Sequence, residues 1–172
     1  MKLLLCSGHA WAASTPMFYT LGYYNKYCHT GHNKEFPYLW QMYLEDIGDI
    51  KLSSFQYRIV REQIQTKGNR KRKKLSPMPK DFSILEYWRR PFRIEYYIEY
   101  LKRVWDVVKD EYQSVADFST ALAGLSEDFL MKIKPKLIEN FDIKVVMVFR
   151  DPVRRFWSQN ADINGKLRSH DR

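Results

Sequence analysis

Cysteine is nearly absent from this chain. Cys6 and Cys28 are the only two in 172 residues. That is too few for a disulfide scaffold, and their spacing matches no metal motif, so no metal is expected. A reducing, cytoplasmic compartment is the default expectation. A secretory leader is not expected either. Met1-Lys2 and Leu3-Leu4-Leu5 begin like one, but Ser7, Gly8 and His9 interrupt the apolar run well short of the roughly 7–15 residues a leader needs. No stretch approaches the roughly 20 apolar residues of a membrane span. There is no internal repeat. No Gly-x-x-x-x-Gly-Lys-[Ser/Thr] is present, which argues against an ATP phosphotransferase of the ordinary P-loop type.

What the chain has is a globular composition, 45% hydrophobic and 16% aromatic, with a net charge of +9. Its length suffices for one domain with a real core. The charge favours anionic partners: nucleotides, sulfated sugars, nucleic acid or membrane surfaces. The most basic run, Lys67–Lys74, continues through Pro77 and Pro79 to Lys80 and reads as an exposed loop over 67–80. It could guide an acidic acceptor, although a solvated loop is favoured. It lacks interleaved stacking aromatics, so a nucleic-acid partner is not expected.

Along the chain, strand and helix signals alternate. Lys2–Cys6 reads as a buried strand ending at Ser7-Gly8. Ser14-Thr15-Pro16 places a hydroxyl cap ahead of a proline at a first helical position, predicting a helix to about Lys26 or Cys28 with Met17, Leu21 and Tyr24 on one face. The aromatic stretch from Gly31 to Ile50 holds a short helix or two. Ile94, Ile98, Leu101, Trp105 and Val108 recur at steps of three and four, predicting an amphipathic helix from about Phe92 to Tyr112. Ser114–Phe118 reads as a second short strand. Ser126 caps a helix carrying Phe129, Leu130, Ile133 and Leu137, which Pro135 should kink or end. Ile143–Phe149 suits a buried parallel strand. Asp151-Pro152 then starts a last helix. The alternation predicts an α/β domain with a central parallel sheet.

Arg150 falls at the carboxyl end of its strand, where open α/β sheets bind ligands. Ser158 lies seven residues beyond Asp151, about 10 Å along the helix and on the same face. A forked cation and a neutral hydroxyl so arranged can share one phosphate monoester.

The stretch Lys144-Val-Val-Met-Val-Phe-Arg-Asp-Pro-Val-Arg-Arg-Phe-Trp-Ser158 resembles the 3′-phosphate motif of the sulfotransferases that use PAPS, 3′-phosphoadenosine 5′-phosphosulfate. That resemblance implies a three-layer α/β/α, P-loop NTPase-like fold over residues 1–172. It also implies PAPS as co-substrate, PAP as product, and Arg150 and Ser158 on the 3′-phosphate. The family's first-loop signature, Lys-[Ser/Thr]-Gly-Thr-Thr, is matched only in part. Ser14 and Thr15 stand for its paired hydroxyls, while Trp11, or His9 in a second alignment, takes the lysine position. A protonated His9 could stabilise charge on the leaving phosphate; otherwise it is a polar loop residue. His32-Asn33-Lys34-Glu35-Phe36 is similar to the Lys-Glu-x-x-Phe-Phe segment of heparan-type and related Golgi sulfotransferases, which makes Glu35 the candidate base. His29 and His32 are weaker alternatives. In Ala116-Asp117-Phe118-Ser119-Thr120, Asp117 and Ser119 match in type that family's Glu-Lys-Ser-Pro-x-Tyr segment while Phe118 and Thr120 do not, and a local backbone role for Ser119 is favoured over one at the nucleotide.

The family domain continues past this point with a helix and an Arg-Lys-Gly loop, so the chain is expected to be a fragment or a reduced member. The resemblance implies sulfuryl transfer to a hydroxyl or amine acceptor, above all a carbohydrate. The missing lysine keeps a non-catalytic PAPS- or PAP-binding relative open, and the charge alone a polyanion-binding module.

Overall fold

The computed structural model describes residues 1–8, 14–31, 36–49 and 92–168, with side chains of the last helix up to residue 161. The basic 67–80 run, His9, His32 and Glu35 lie outside the described residues.

Strand β1 (Lys2–Gly8) opens the chain. Helix α1 (Ser14–Phe18) follows and widens into a π-helical segment, Tyr19–Tyr24. The wider turn shows in the bond from Asn25 N–H to Thr20 O, five residues back, at 3.1 Å. It also changes which side chains face inward. Met17 and Leu21 pack against the core as the spacing predicts, but Tyr24 points to solvent. The helix begins at Ser14, so Pro16 is its third residue rather than its first, and Ser14 is not the cap.

Strand β2 (Cys28–His29) is only two residues long, below what periodicity can detect. Helix α2 (Tyr38–Asp46) is the short helix expected in the aromatic stretch. Helix α3 (Ile94–Val108) has the expected span, with a stripe centred differently. Tyr97, Tyr100 and Val104 join Ile98, Leu101 and Val108 as its buried residues. Strand β3 (Ser114–Asp117) and a 3₁₀ turn (Thr120–Gly124) lead to helix α4 (Glu127–Asn140).

The Ser126 side chain caps α4, its Oγ accepting from Phe129 N–H at 3.3 Å. Phe129, Ile133 and Leu137, at i, i+4 and i+8, are buried while Leu130 is exposed. Pro135 lies inside α4, which runs on to Asn140, so it does not end the helix. Strand β4 (Asp142–Val148) and helix α5 (Pro152–Arg168) are the last described elements.

The four strands form one parallel sheet in the order β2-β3-β1-β4. Pleating divides the side chains of β1 between two cores. Leu3, with Val115 and Ile143, faces α2, α3 and α4. Leu4 and Cys6, with Ala116 and Phe118, face Phe18, Met17 and Leu21. Helices therefore cover both faces of the sheet, as the α/β expectation requires.

One expectation is overturned. The apolar run 143–149 is not a buried strand. β4 is an edge, paired only with β1 among the described residues. Val145, Met147 and Phe149 are exposed, Phe149 to 77%. Apolar content makes a strand fit for burial, but burial also needs a neighbour on each side, and a one-dimensional pattern carries no record of that.

Candidate functional site at the carboxyl edge of the sheet

In a parallel sheet every strand delivers its carboxyl end to the same edge. Here the register fixes who stands beside whom. β1 pairs with β4 from Lys2–Asp142 through to Gly8–Val148. On its other side β1 pairs with β3, Leu5 opposite Asp117. The chain leaving Gly8 goes to α1, on one face of the sheet, and the chain leaving Asp117 goes to α4, on the other. Departures to opposite faces from adjacent strands open the crevice where doubly wound sheets bind ligands.

Gly8 is the residue that lets β1 and β4 stay this close. A Cβ at Gly8 would stand 2.7 Å from the backbone oxygen of Val148. No side chain fits without moving backbone. The residue that follows Val148 by two is Arg150, exposed at the tip of β4.

Asp151 then caps α5. Its Oδ1 accepts the N–H of Arg154 at 3.0 Å, and its carbonyl accepts that of Arg155 at 2.9 Å. Pro152 takes the first helical position, where its missing N–H costs nothing. Ser158 is half-buried two turns further on. The cap carboxylate is thus engaged by backbone, and the guanidinium of Arg150 is exposed beside it at the strand tip.

Ser14, buried, and Thr15, exposed, are the first two residues of α1. The structure sets the tips of β1 and β4 side by side. His29 is elsewhere in function: it is fully buried on β2, and its Nδ1 accepts the N–H of Gly31 at 2.9 Å. Accepting there puts the ring proton on Nε2 of a neutral imidazole. Burial removes His29 as an acceptor-facing base.

Sequence spacing did not reveal a buried polar chain at the tip of β3. Asp117 is 1% exposed. Its Oδ2 accepts from Tyr97 O–H at 3.0 Å and its Oδ1 from Ser119 N–H at 2.8 Å. Ser119 Oγ in turn accepts from Phe36 N–H at 2.9 Å. A buried carboxylate is tolerated because its oxygens are met by donors. Burial first, and the Asp117 charge second, push the Tyr97 phenol well above its ordinary range, so it remains a donor. The Phe36 ring stacks among Tyr38, Tyr97 and Tyr100, 4.1 Å from the last between centroids. The residue after Glu35 is therefore pinned to the carboxyl edge from both backbone and side chain. The one sequence signal was Asp117 two residues before Ser119, a spacing at which an aspartate bonds the N–H of the second residue on.

Cys28 is another buried titratable group. Burial, then the neighbouring charge of Cys6, raise its thiol to about 12, which makes it an inert packing residue. Among the described residues no cluster of His, Cys, Asp or Glu could hold a metal ion, and no helix is long and apolar enough to cross a membrane. No protein-family model matches the chain, and neither a curated protein sequence nor a solved structure does.

Proposed function

We propose that this chain is a nucleotide-binding α/β protein that grips a phosphate at the carboxyl edge of its sheet. Within that class it is a sulfotransferase, moving a sulfuryl group from PAPS to a hydroxyl or amine of an acceptor, a carbohydrate above all. One observation carries the proposal: the β1–β4 register, which ends on Gly8 opposite Val148. That register supports a reading in which one nucleotide lies across the tips of β1 and β4, with its 3′-phosphate toward Arg150 and Ser158 and its 5′-phosphosulfate toward Ser14 and Thr15.

In the transfer, the acceptor oxygen or nitrogen attacks sulfur as the bond from sulfur to the 5′-phosphate oxygen breaks. PAP leaves, and the acceptor proton passes to a base. Glu35 is the candidate base; its chain neighbour Phe36 is anchored at this same edge by Ser119. His9, one residue past Gly8, is the candidate cation for the leaving phosphate.

A ligand that binds only the folded form raises its melting temperature. Thermal shift of the chain with PAP, ATP and AMP is expected to give a rise selective for PAP. Arg150→Ala is expected to abolish it and Ser158→Ala to reduce it. No rise with PAP, or equal rises with all three nucleotides, refutes the proposal. A PAP-selective rise without sulfate transfer to any sugar acceptor favours a non-catalytic relative, the reading motivated by histidine or tryptophan where the family has lysine.

A further inference from the structure

Two buried hydroxyls, those of Ser119 and Tyr100, hold the two ends of one short stretch of chain. At the Phe36 end, Ser119 Oγ accepts the backbone N–H at 2.9 Å. At the Gly31 end, Tyr100 O–H donates to the carbonyl of Thr30 at 3.4 Å, and His29 Nδ1 accepts the Gly31 N–H at 2.9 Å. Gly31 has a φ of +74°, and the Tyr100 hydroxyl fills the place a Cβ would take, so only glycine suits the position. Tyr100 reaches the other end as well, its ring 4.1 Å from that of Phe36. Ser119 is itself fixed: its N–H donates to Asp117 Oδ1, and the second carboxylate oxygen accepts from Tyr97.

The sheet order gives this clamp a place in the proposed site. The strands run β2-β3-β1-β4. Along the carboxyl edge stand Arg150 just past β4, Gly8 at the end of β1, Ser119 just past β3 and Gly31 just past β2. On the nucleotide reading, the 3′-phosphate lies at the tip of β4 and the phosphosulfate at the tip of β1. An acceptor attacking in line comes to sulfur from the side away from the leaving phosphate. The next tip on from β1 is that of β3, where the clamp sits.

We propose that Ser119 and Tyr100 are positioning residues for sulfuryl transfer, clamping Phe36 and Gly31 so that the segment between them presents Glu35 to the acceptor. This rests on the sulfotransferase reading and adds to it the side from which the acceptor enters and the groups that aim its base. In the step, the acceptor oxygen or nitrogen bonds to sulfur, the bond from sulfur to the 5′-phosphate oxygen breaks, and the acceptor proton goes to the Glu35 carboxylate. Ser119 and Tyr100 act only through the segment they hold. A displacement of about 1 Å in such a group costs up to about a hundredfold in rate.

The test is steady-state sulfate transfer from PAPS to desulfated heparin by the whole chain, alongside the thermal shift with PAP. Ser119→Ala is expected to lower kcat about tenfold or more, with the KM for PAPS and the PAP-induced rise as in the parent. Ser119→Thr is expected to recover part of the loss, and Tyr100→Phe, which keeps the ring, to lower kcat by less. A group that acts through the base adds nothing once the base is gone. The double variant Ser119→Ala/Glu35→Gln is therefore expected to be no slower than Glu35→Gln alone. A folded Ser119→Ala with parent kcat, or losses that add in full in the double variant, overturns the proposal while the nucleotide reading stands. A parent that binds PAP and transfers no sulfate overturns it too, since no base is then at work. A parent without a PAP-selective rise refutes the nucleotide reading first, and this proposal with it.

Discussion

The hydroxyl of Ser119 holds the backbone N–H of Phe36 at 2.9 Å, joining the tip of β3 to a residue 83 positions earlier in the chain. Both residues are buried. Ser119→Ala leaves that N–H without its acceptor in a site closed to water, at a cost of about 1–3 kcal/mol. Urea denaturation is expected to show the loss as a lower midpoint with an unchanged slope. Ser119→Thr, which keeps the oxygen, is expected to recover part of it. A parent-like midpoint for Ser119→Ala would remove the anchor from the account.

Gly8 is the second sensitive position. Because an added Cβ would meet the Val148 oxygen at 2.7 Å, Gly8→Ala has to push β1 and β4 apart at the edge. Overpacking of this kind costs about 1–3 kcal/mol. The melting temperature is expected to fall, and, if the proposed nucleotide site is right, the PAP-induced rise to shrink beyond what lower stability explains, since the displaced backbone is that of the two strand tips at which the nucleotide is proposed to bind.

Alkaline stability follows from the two raised groups. Cys28 moves from 9.0 to about 12, and Tyr97 moves up from 10.0. In both, the folded state favours the protonated form. Below about pH 8, under the ordinary thiol and phenol values, folded and unfolded chains carry these protons alike, and stability is intact. As pH rises through the ordinary values, the unfolded chain releases them and the folded chain does not, so stability falls toward the folded pKa. Denaturation midpoints measured from pH 8 upward, a range set by the reference thiol and phenol values of roughly 8.5 and 10, are expected to decline. Cys28→Ala is expected to flatten the decline, although the cavity it leaves lowers stability at every pH.

The two helix caps are expected to behave differently when removed. Ser126→Ala and Asp151→Ala each delete one cap bond, worth about 1 kcal/mol. Helix α4 carries buried Phe129, Ile133 and Leu137, so loss of its cap is expected to lower global stability. Helix α5 buries nothing over its described side chains, so loss of its cap is expected to appear as faster hydrogen exchange in the first turns of α5 with little change in the melting temperature.

The elements most readable in the sequence were those set by local chemistry. Ser126 and Asp151 announce their helices because capping is a contact between near neighbours. The strands β1, β3 and β4 and the helix α3 show through apolar spacing alone. What stayed hidden depends on distant partners. Tyr97 and Tyr100 face inward because Asp117 and the carbonyl of Thr30 offer them acceptors, and no helical periodicity assigns a tyrosine to a core. The π-helical turn that exposes Tyr24 comes from a hydrogen-bond shift of one residue. The exposure of Val145 and Met147 follows from the position of β4 in the sheet, which is a property of strand order. Of the candidate site, the β4–α5 turn was legible through Arg150, Asp151 and Pro152. The Asp117–Ser119–Phe36 chain was not, because its last link joins residues 83 positions apart.

Strand β1 pairs with β4 residue for residue, Lys2 opposite Asp142 and Gly8 opposite Val148, although one opens the chain and the other comes near its end. Such pairing has to close a very large loop before it gains anything. During synthesis the first strand leaves the ribosome long before its companion exists, and Leu3, Leu4 and Leu5 have no sheet partner until β3 and then β4 follow. The interval belongs to chaperones: slowing elongation just ahead of β4 would lengthen that wait, and with it the time for which a nascent chain offers a naked strand to other molecules.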